Sequence, residues 1–140
     1  MNSLNAKPQA AFSVPNVQVS TQRILVVDDD PLFCRIMASL GEKMGITVEH
    51  RSSLRELYRV LPDLKFDVAI VDYDLGKITG VQLSQHIERV AKGKPVVLVS
   101  NYSNIPTDGW SPNVRLFVSK REGEQDILRK AVYCLASKHA

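Results

Sequence analysis

Four stretches of this 140-residue chain carry residues that could do chemistry together. Asp28, Asp29 and Asp30 follow "ILVV", Asp72 follows "VAIV", Ser100 follows "VVLV", and Lys120 follows "LFVS". Each polar residue ends a short apolar run of the kind that makes a buried strand. Carboxylates are almost never buried without a partner, and two like unit charges about 4 Å apart repel by roughly 4 kcal/mol at an effective dielectric near 20. A hard divalent cation such as Mg²⁺ takes oxygen ligands and would offset that repulsion. With an ammonium and a hydroxyl beside it, the set lacks only a dianion with several acceptor oxygens. A phosphoryl group fits it in charge and in hydrogen bonding.

The surrounding sequence supplies the frame. From Arg23 onward, short apolar runs alternate with stretches of helical period, the pattern of βα units around a parallel sheet. "RILVV", "ITVEH", "FDVAIVD", "PVVLVS" and "VRLFVSK" read as five strands. Between them, Phe33, Ile36, Met37, Leu40 and Met44 form one helical stripe after Pro31 and before Gly45. Leu54, Leu57, Tyr58 and Leu61 form a second, opened by Ser53 and Glu56 as a capping box and closed by Pro62. Val81, Leu83, Ile87 and Val90 form a third, stopped by Gly93. "EGEQDILRKAVYCLASKH" is a fourth helix, acidic at its start and basic at its end, as the helix dipole prefers. "NYSNIPTDGWSPN" holds Pro106, Gly109 and Pro112 and predicts a turn or an irregular loop. In a parallel sheet every strand-ending polar residue stands on one rim, where ligands bind at the point of strand-order reversal.

Composition narrows the class. The 44% hydrophobic and 24% charged content is that of one globular domain. Residues 1–22 lack periodicity, are rich in Asn, Gln and Ser, and read as a flexible N-terminal tail ahead of a domain over 23–140. No apolar run approaches the roughly 20 residues of a membrane span, and no signal-peptide pattern is present, so a soluble cytoplasmic protein is expected. A net charge of +3 is spread among acidic residues and favours a mixed-charge surface over nucleic-acid binding. Cys34 and Cys134 have no metal-type spacing and read as packing residues.

"ILVVDDDP", "VAIVDYDLGKITG", "VVLVS" and "LFVSK", in this order and spacing, resemble the receiver domain of two-component response regulators, over about residues 23–138. The resemblance implies a flavodoxin-like (βα)5 three-layer sandwich whose helix between strands four and five is here short or irregular. It implies that Asp72 is the phosphoacceptor, attacking the phosphohistidine of a sensor histidine kinase or a histidine phosphotransfer protein to form an acyl phosphate. Mg²⁺ would be held by Asp29 directly, by Asp28 through water, by Asp72, and by the main-chain carbonyl of Asp74. Ser100 would bond one phosphoryl oxygen and Lys120 pair with another. Ser100 and Phe117 would form the switch, and Gly80 would open the third helix. The implied product is a regulatory phosphoprotein, not an enzyme, acting through a downstream protein partner, an output domain or a homodimer.

The sequence departs from the family pattern at several points. Asn101 stands where a small residue is usual. Arg121 follows Lys120 where a proline with a cis peptide is usual, and because a non-proline cis bond costs about 2.5–4 kcal/mol the lysine's loop is expected to run differently. Asp74 and Tyr102 occupy positions that tune dephosphorylation in the family. Asp30 reads as the cap of the first helix, since Pro31 follows it. Phe117 has core packing as its alternative, Trp110 is either a contact anchor or a packing residue, and His50, His86 and His139 read as surface residues. Two rivals remain: a receiver-like binding module that is not phosphorylated, and a haloacid-dehalogenase-type phosphatase. "VDYDLG" resembles the phosphatase's DxD motif, but the acidic pair that should follow the lysine is missing.

Overall fold

The computed structural model describes residues 22–137. The tail expected over 1–22 lies, except for Gln22, outside the described residues, as do the basic Lys138 and His139 expected to end the last helix.

Five strands form one parallel sheet: β1 (Arg23–Val27), β2 (Thr47–Arg51), β3 (Val68–Asp72), β4 (Val96–Ser100) and β5 (Val114–Ser119), in the order β2-β1-β3-β4-β5. The helices are α1 (Pro31–Lys43), α2 (Leu54–Val60), α3 (Gly80–Val90) and α4 (Glu124–Ser137), with single 3₁₀ turns over Leu61–Asp63 and Lys120–Glu122. Strands β3 and β4 are buried along their whole length, as their unbroken Val/Ile/Leu character requires of strands covered on both faces.

Side chains alternate across the sheet and so build two cores. On one face Ile24, Val26, Val68, Ile70, Val97, Val99 and Val118 pack against Phe33, Cys34 and Met37 of α1 and Ile127, Leu128, Ala131 and Cys134 of α4. On the other, Leu25, Val27, Ala69, Val71, Val96 and Leu98 pack against Leu57 of α2 and Val81, Leu83 and Ile87 of α3. Both cysteines are packing residues, as their sequence context suggests.

The stripes need correction at their edges. Met44 is the C-cap of α1 and lies exposed, while Cys34 and Gly41 take the buried places beside Phe33 and Met37. Tyr58 is 39% exposed and meets His86 of α3 edge-on, with ring centroids 4.8 Å apart. Val90 is equally exposed at the last turn of α3, where the helix leaves the sheet, and Ser84 is the buried residue instead. Ser53 caps α2 by accepting from the Glu56 amide, but the full reciprocal box is found at α3, where Thr79 and Gln82 each bond the other's backbone.

Residues 101–113 form no helix or strand, as the proline and glycine spacing predicts. The loop is fastened to α3 instead. Buried Asn113 donates from Nδ2 to the Ser84 carbonyl at 3.0 Å, and Gln85 donates to the Gly109 carbonyl at 2.7 Å. Trp110 packs partly buried over the second core and donates its indole N–H to the Pro106 carbonyl at 3.1 Å.

Candidate functional site: an acidic rim at the carboxyl ends of the strands

Register explains why the chemical residues meet. Val27 pairs with Val71, Asp72 with Val99, and Ser100 with Ser119. Asp28 and Asp72 therefore emerge level at the ends of β1 and β3, with Ser100 one residue further along β4 and Lys120 two residues further, just past the end of β5. The strand order reverses between β1 and β3, so Asp28 and Asp72 stand at the mouth of the crevice where ligands of open α/β sheets bind. Together with Asp29, Asn101 and Tyr102 they line a cleft of about 310 Å³.

Lys120 anchors the cleft electrostatically. Its ammonium lies 2.6 Å from Asp28 Oδ2 and 3.4 Å from Asp72 Oδ1. It arrives by a backbone route without any cis peptide. Lys120 opens a 3₁₀ turn in which the Ser119 hydroxyl accepts from the Arg121 amide at 3.1 Å, the different course that Arg121 leads one to expect. The ammonium also sits 4.6 Å from the centre of the Phe33 ring.

Asp28 and Asp72 are 1% and 7% exposed. Burial pushes the Asp72 carboxyl up to about 6, the charge of Asp28 adds to the rise, and Lys120 opposes it. Asp28 is also raised, by burial first, although Lys120 and the Asp30 amide hold it back. For Lys120, burial is the largest single influence and works against the charged form, but the bonds and charges of Asp28 and Asp72 together outweigh it and raise the pKa. Asp28 Oδ1 accepts from the Asp30 amide at 2.9 Å, and the buried Oδ2 is ion-paired with the Lys120 ammonium at 2.6 Å.

One ammonium leaves this group of carboxylates short of positive charge, which a cation would supply. Asp28, Asp29 and Asp72 each offer a carboxylate oxygen, and these lie within 4.8 Å of one another. All-oxygen donors suit a hard divalent ion such as Mg²⁺. Asp30 stands outside this group: its side chain accepts from the Leu32 amide and caps α1. The Asp74 carboxylate is exposed and turned to the Gly76 amide at 3.1 Å, so only the main chain of Asp74 remains as a candidate ligand.

Ser100 is buried at the end of β4, with its Oγ accepting from the Tyr102 amide at 3.0 Å. Its hydroxyl proton is left to be donated. Phe117 pairs in register with Leu98 and is partly buried on the second core. Gly80 begins α3 hard against the end of β3, donating its amide to the Tyr73 carbonyl at 2.6 Å. A Cβ there would overlap the Asp72 carbonyl oxygen and come within 2.9 Å of Leu98 Cδ2.

The site thus holds Asp28, Asp29, Asp72, Ser100 and Lys120 together, as the sequence suggests. Sequence reasoning misses Phe33, which periodicity marks only as a core residue. Its signal is position: the first turn of the helix that follows the acidic pair points back toward the rim.

The sequence profile of the response regulator receiver domain matches residues 24–132. A transcriptional regulatory protein of Escherichia coli K12, GlrR, is 32% identical over 83 residues, which is 59% of this chain and 19% of that protein. The two-component response regulator ARR11 of Arabidopsis thaliana is 31% identical over 80 residues, 56% of this chain and 15% of its own. The chain therefore spans about a fifth or less of the length of these curated relatives. Among solved structures, a CheY-like receiver domain protein from Methanospirillum hungatei superposes with a TM-score of 0.76 at 23% identity, covering 86% of this chain and 98% of that one. The response regulator TrrA of Thermotoga maritima, solved in complex with Mg(2+)-BeF, gives 0.71 at 23% identity, covering 82% and 99%. A response regulator of Burkholderia pseudomallei with a phosphorylated aspartic acid and a calcium ion gives 0.65 at 22%, covering 84% and 72%. With 24–132 matched by the family profile, and a flavodoxin-like sheet carrying the acidic rim, this chain belongs to the response regulator receiver domains of two-component systems.

Proposed function

We propose that this receiver domain takes a phosphoryl group on Asp72 in a Mg²⁺-dependent reaction, from the phosphohistidine of a sensor histidine kinase or a histidine phosphotransfer protein, in the cytoplasm. One observation carries the reading: the carboxylates of Asp28, Asp29 and Asp72 converge around the Lys120 ammonium, which leaves them short of positive charge. Such a site is built to receive further charge. A carboxyl of pKa about 6 is mostly ionised at neutral pH, so Asp72 is available as a nucleophile.

In the transfer, an Asp72 oxygen forms a bond to phosphorus, the phosphorus–nitrogen bond of the donor breaks, and the imidazole leaves with the electron pair. Lys120 stabilises charge on the transferred oxygens, the main contribution a protein makes to this chemistry. Asp28, Asp29, Asp72 and the Asp74 carbonyl would hold Mg²⁺, which supplies further charge neutralisation when bound. Ser100 then donates to a phosphoryl oxygen the hydroxyl proton that its bond from the Tyr102 amide leaves free, and Phe117 responds on the second core. The chain acts as a phosphoacceptor switch and not as an enzyme.

Intact mass after incubation with Mg²⁺ and acetyl phosphate tests this. One added phosphoryl group, absent in Asp72→Ala, is the expected result. An unmodified chain would leave a binding module, and turnover of a phosphomonoester would indicate the phosphatase.

A further inference from the structure

Lysine is a point charge on a flexible four-carbon stem, and Lys120 must keep that charge in the cleft without a proline behind it. The two carboxylates alone do not fix it evenly, since the ammonium is 2.6 Å from Asp28 and 3.4 Å from Asp72. A third neighbour lies on the side of the first core. Phe33, 7% exposed in the first turn of α1, places its ring centre 4.6 Å from Lys120 Nζ. That distance is within the range in which the negative face of an aromatic ring attracts a cation, and burial strengthens the attraction.

The ring is itself held firmly. Asp30 caps α1 at the Leu32 amide, and Cys34, the next residue after Phe33, directs its thiol to the Asp28 carbonyl at 3.5 Å. The segment that supplies Asp28 therefore also fixes the ring over which the ammonium sits. We propose that Phe33 is a positioning residue: its ring face holds the Lys120 ammonium between Asp28 and Asp72, so that the charge stays at the phosphoryl position when Asp28 engages a metal. The role of this contact in transfer rests on the phosphoacceptor reading above; the contact itself does not.

Proton NMR separates the two. A ring under the ammonium shifts the Lys120 ε-methylene protons upfield in the wild-type protein, and that shift is expected to vanish in Phe33→Leu and persist in Phe33→Tyr. The rate of phosphorylation by acetyl phosphate should fall about threefold to tenfold in Phe33→Leu, the range a partly desolvated cation–ring contact supplies, and recover in Phe33→Tyr. Replacement of Phe33 by pentafluorophenylalanine keeps the shape and removes the negative ring face; the same loss of rate is expected there, which decides the matter if Phe33→Leu fails to fold. An unshifted Lys120 in the wild type, or wild-type rates in both the leucine and the fluorinated variants, would overturn the proposal. A wild-type chain that shows the upfield shift but takes no phosphoryl group would instead remove the phosphoacceptor reading.

Discussion

The two faces of the sheet are covered differently. One is sealed by α1 and α4, helices of 13 and 14 residues, over a core that includes Phe33 and Val118. The other is covered by the shorter α2 and α3 and by the irregular loop 101–113, leaving Ile105, Trp110, Val114 and Phe117 only partly buried. The site residues divide along the same line. Asp28 continues the row of Ile24 and Val26, Asp72 the row of Val68 and Ile70, and Lys120 the row after Val118, all on the sealed face. Ser100 and Phe117 continue the rows of Leu98 and Val96 on the loosely covered face. On the phosphoacceptor reading proposed above, the groups that would be held for chemistry grow from the better packed side, and the groups that would move grow from the more loosely covered side, where local opening costs less.

Substitutions sharpen this contrast. Lys120→Ala, on the sealed face, should slow phosphorylation by acetyl phosphate about 10²–10³-fold, the usual loss when one preorganised charge is removed from a transition state. Ser100→Ala should leave the rate within about tenfold while abolishing the spectral response of the loop, because its hydroxyl engages only once the phosphoryl group is present. Equal losses in the two variants would erase the distinction. Gly80→Ala drives a methyl into the Asp72 carbonyl and Leu98 and should cost about 3 kcal/mol, the upper end for overpacking, by urea denaturation. Asn113→Ala removes the side-chain bond that ties the loop to the Ser84 carbonyl and should cost about 1–2 kcal/mol while speeding exchange of the amides in 101–113.

Most of the frame is legible in the sequence because each signal is local. The five runs of β-branched residues, the strand-ending polar residues, Pro31 after Asp30 and the Pro/Gly spacing of 101–113 each report on a few adjacent positions, and the structure agrees with them. What is not legible depends on partners far along the chain. Asn113 meets Ser84 across 29 residues, and Lys120 meets Phe33 from the opposite end of the domain. Tyr58 and Val90 obey the helical period yet lie exposed, because period reports the side of a helix and not how far along that side the sheet extends. The motif residues of a capping box stand at both Ser53/Glu56 and Thr79/Gln82, but the reciprocal bonds form only at the second, a choice the residue types alone do not make.

The rim also makes stability depend on pH. In the metal-free protein the Asp72 carboxyl is raised from an ordinary 3.8 to about 6, so between those values the folded chain keeps a proton that the unfolded chain has released. Stability must then fall as pH rises from about 4 to about 6 and level off above, with the buried Asp28 adding to the same slope. Urea midpoints in EDTA should show this decline, and Asp72→Asn should flatten it. A stability that rises across the same window in EDTA would mean that Lys120 outweighs burial at the rim.

The division of labour between the faces is tested most directly by amide chemical shifts on adding Mg²⁺ and beryllofluoride, a phosphoryl mimic. Beyond residues in direct contact with the mimic, the account predicts large shifts from Ser100 through Asn113 and at Phe117, with α1 and the middle turns of α4 little changed. Shifts as large along α1 and α4 as in the loop, or a loop that does not respond at all, would contradict it.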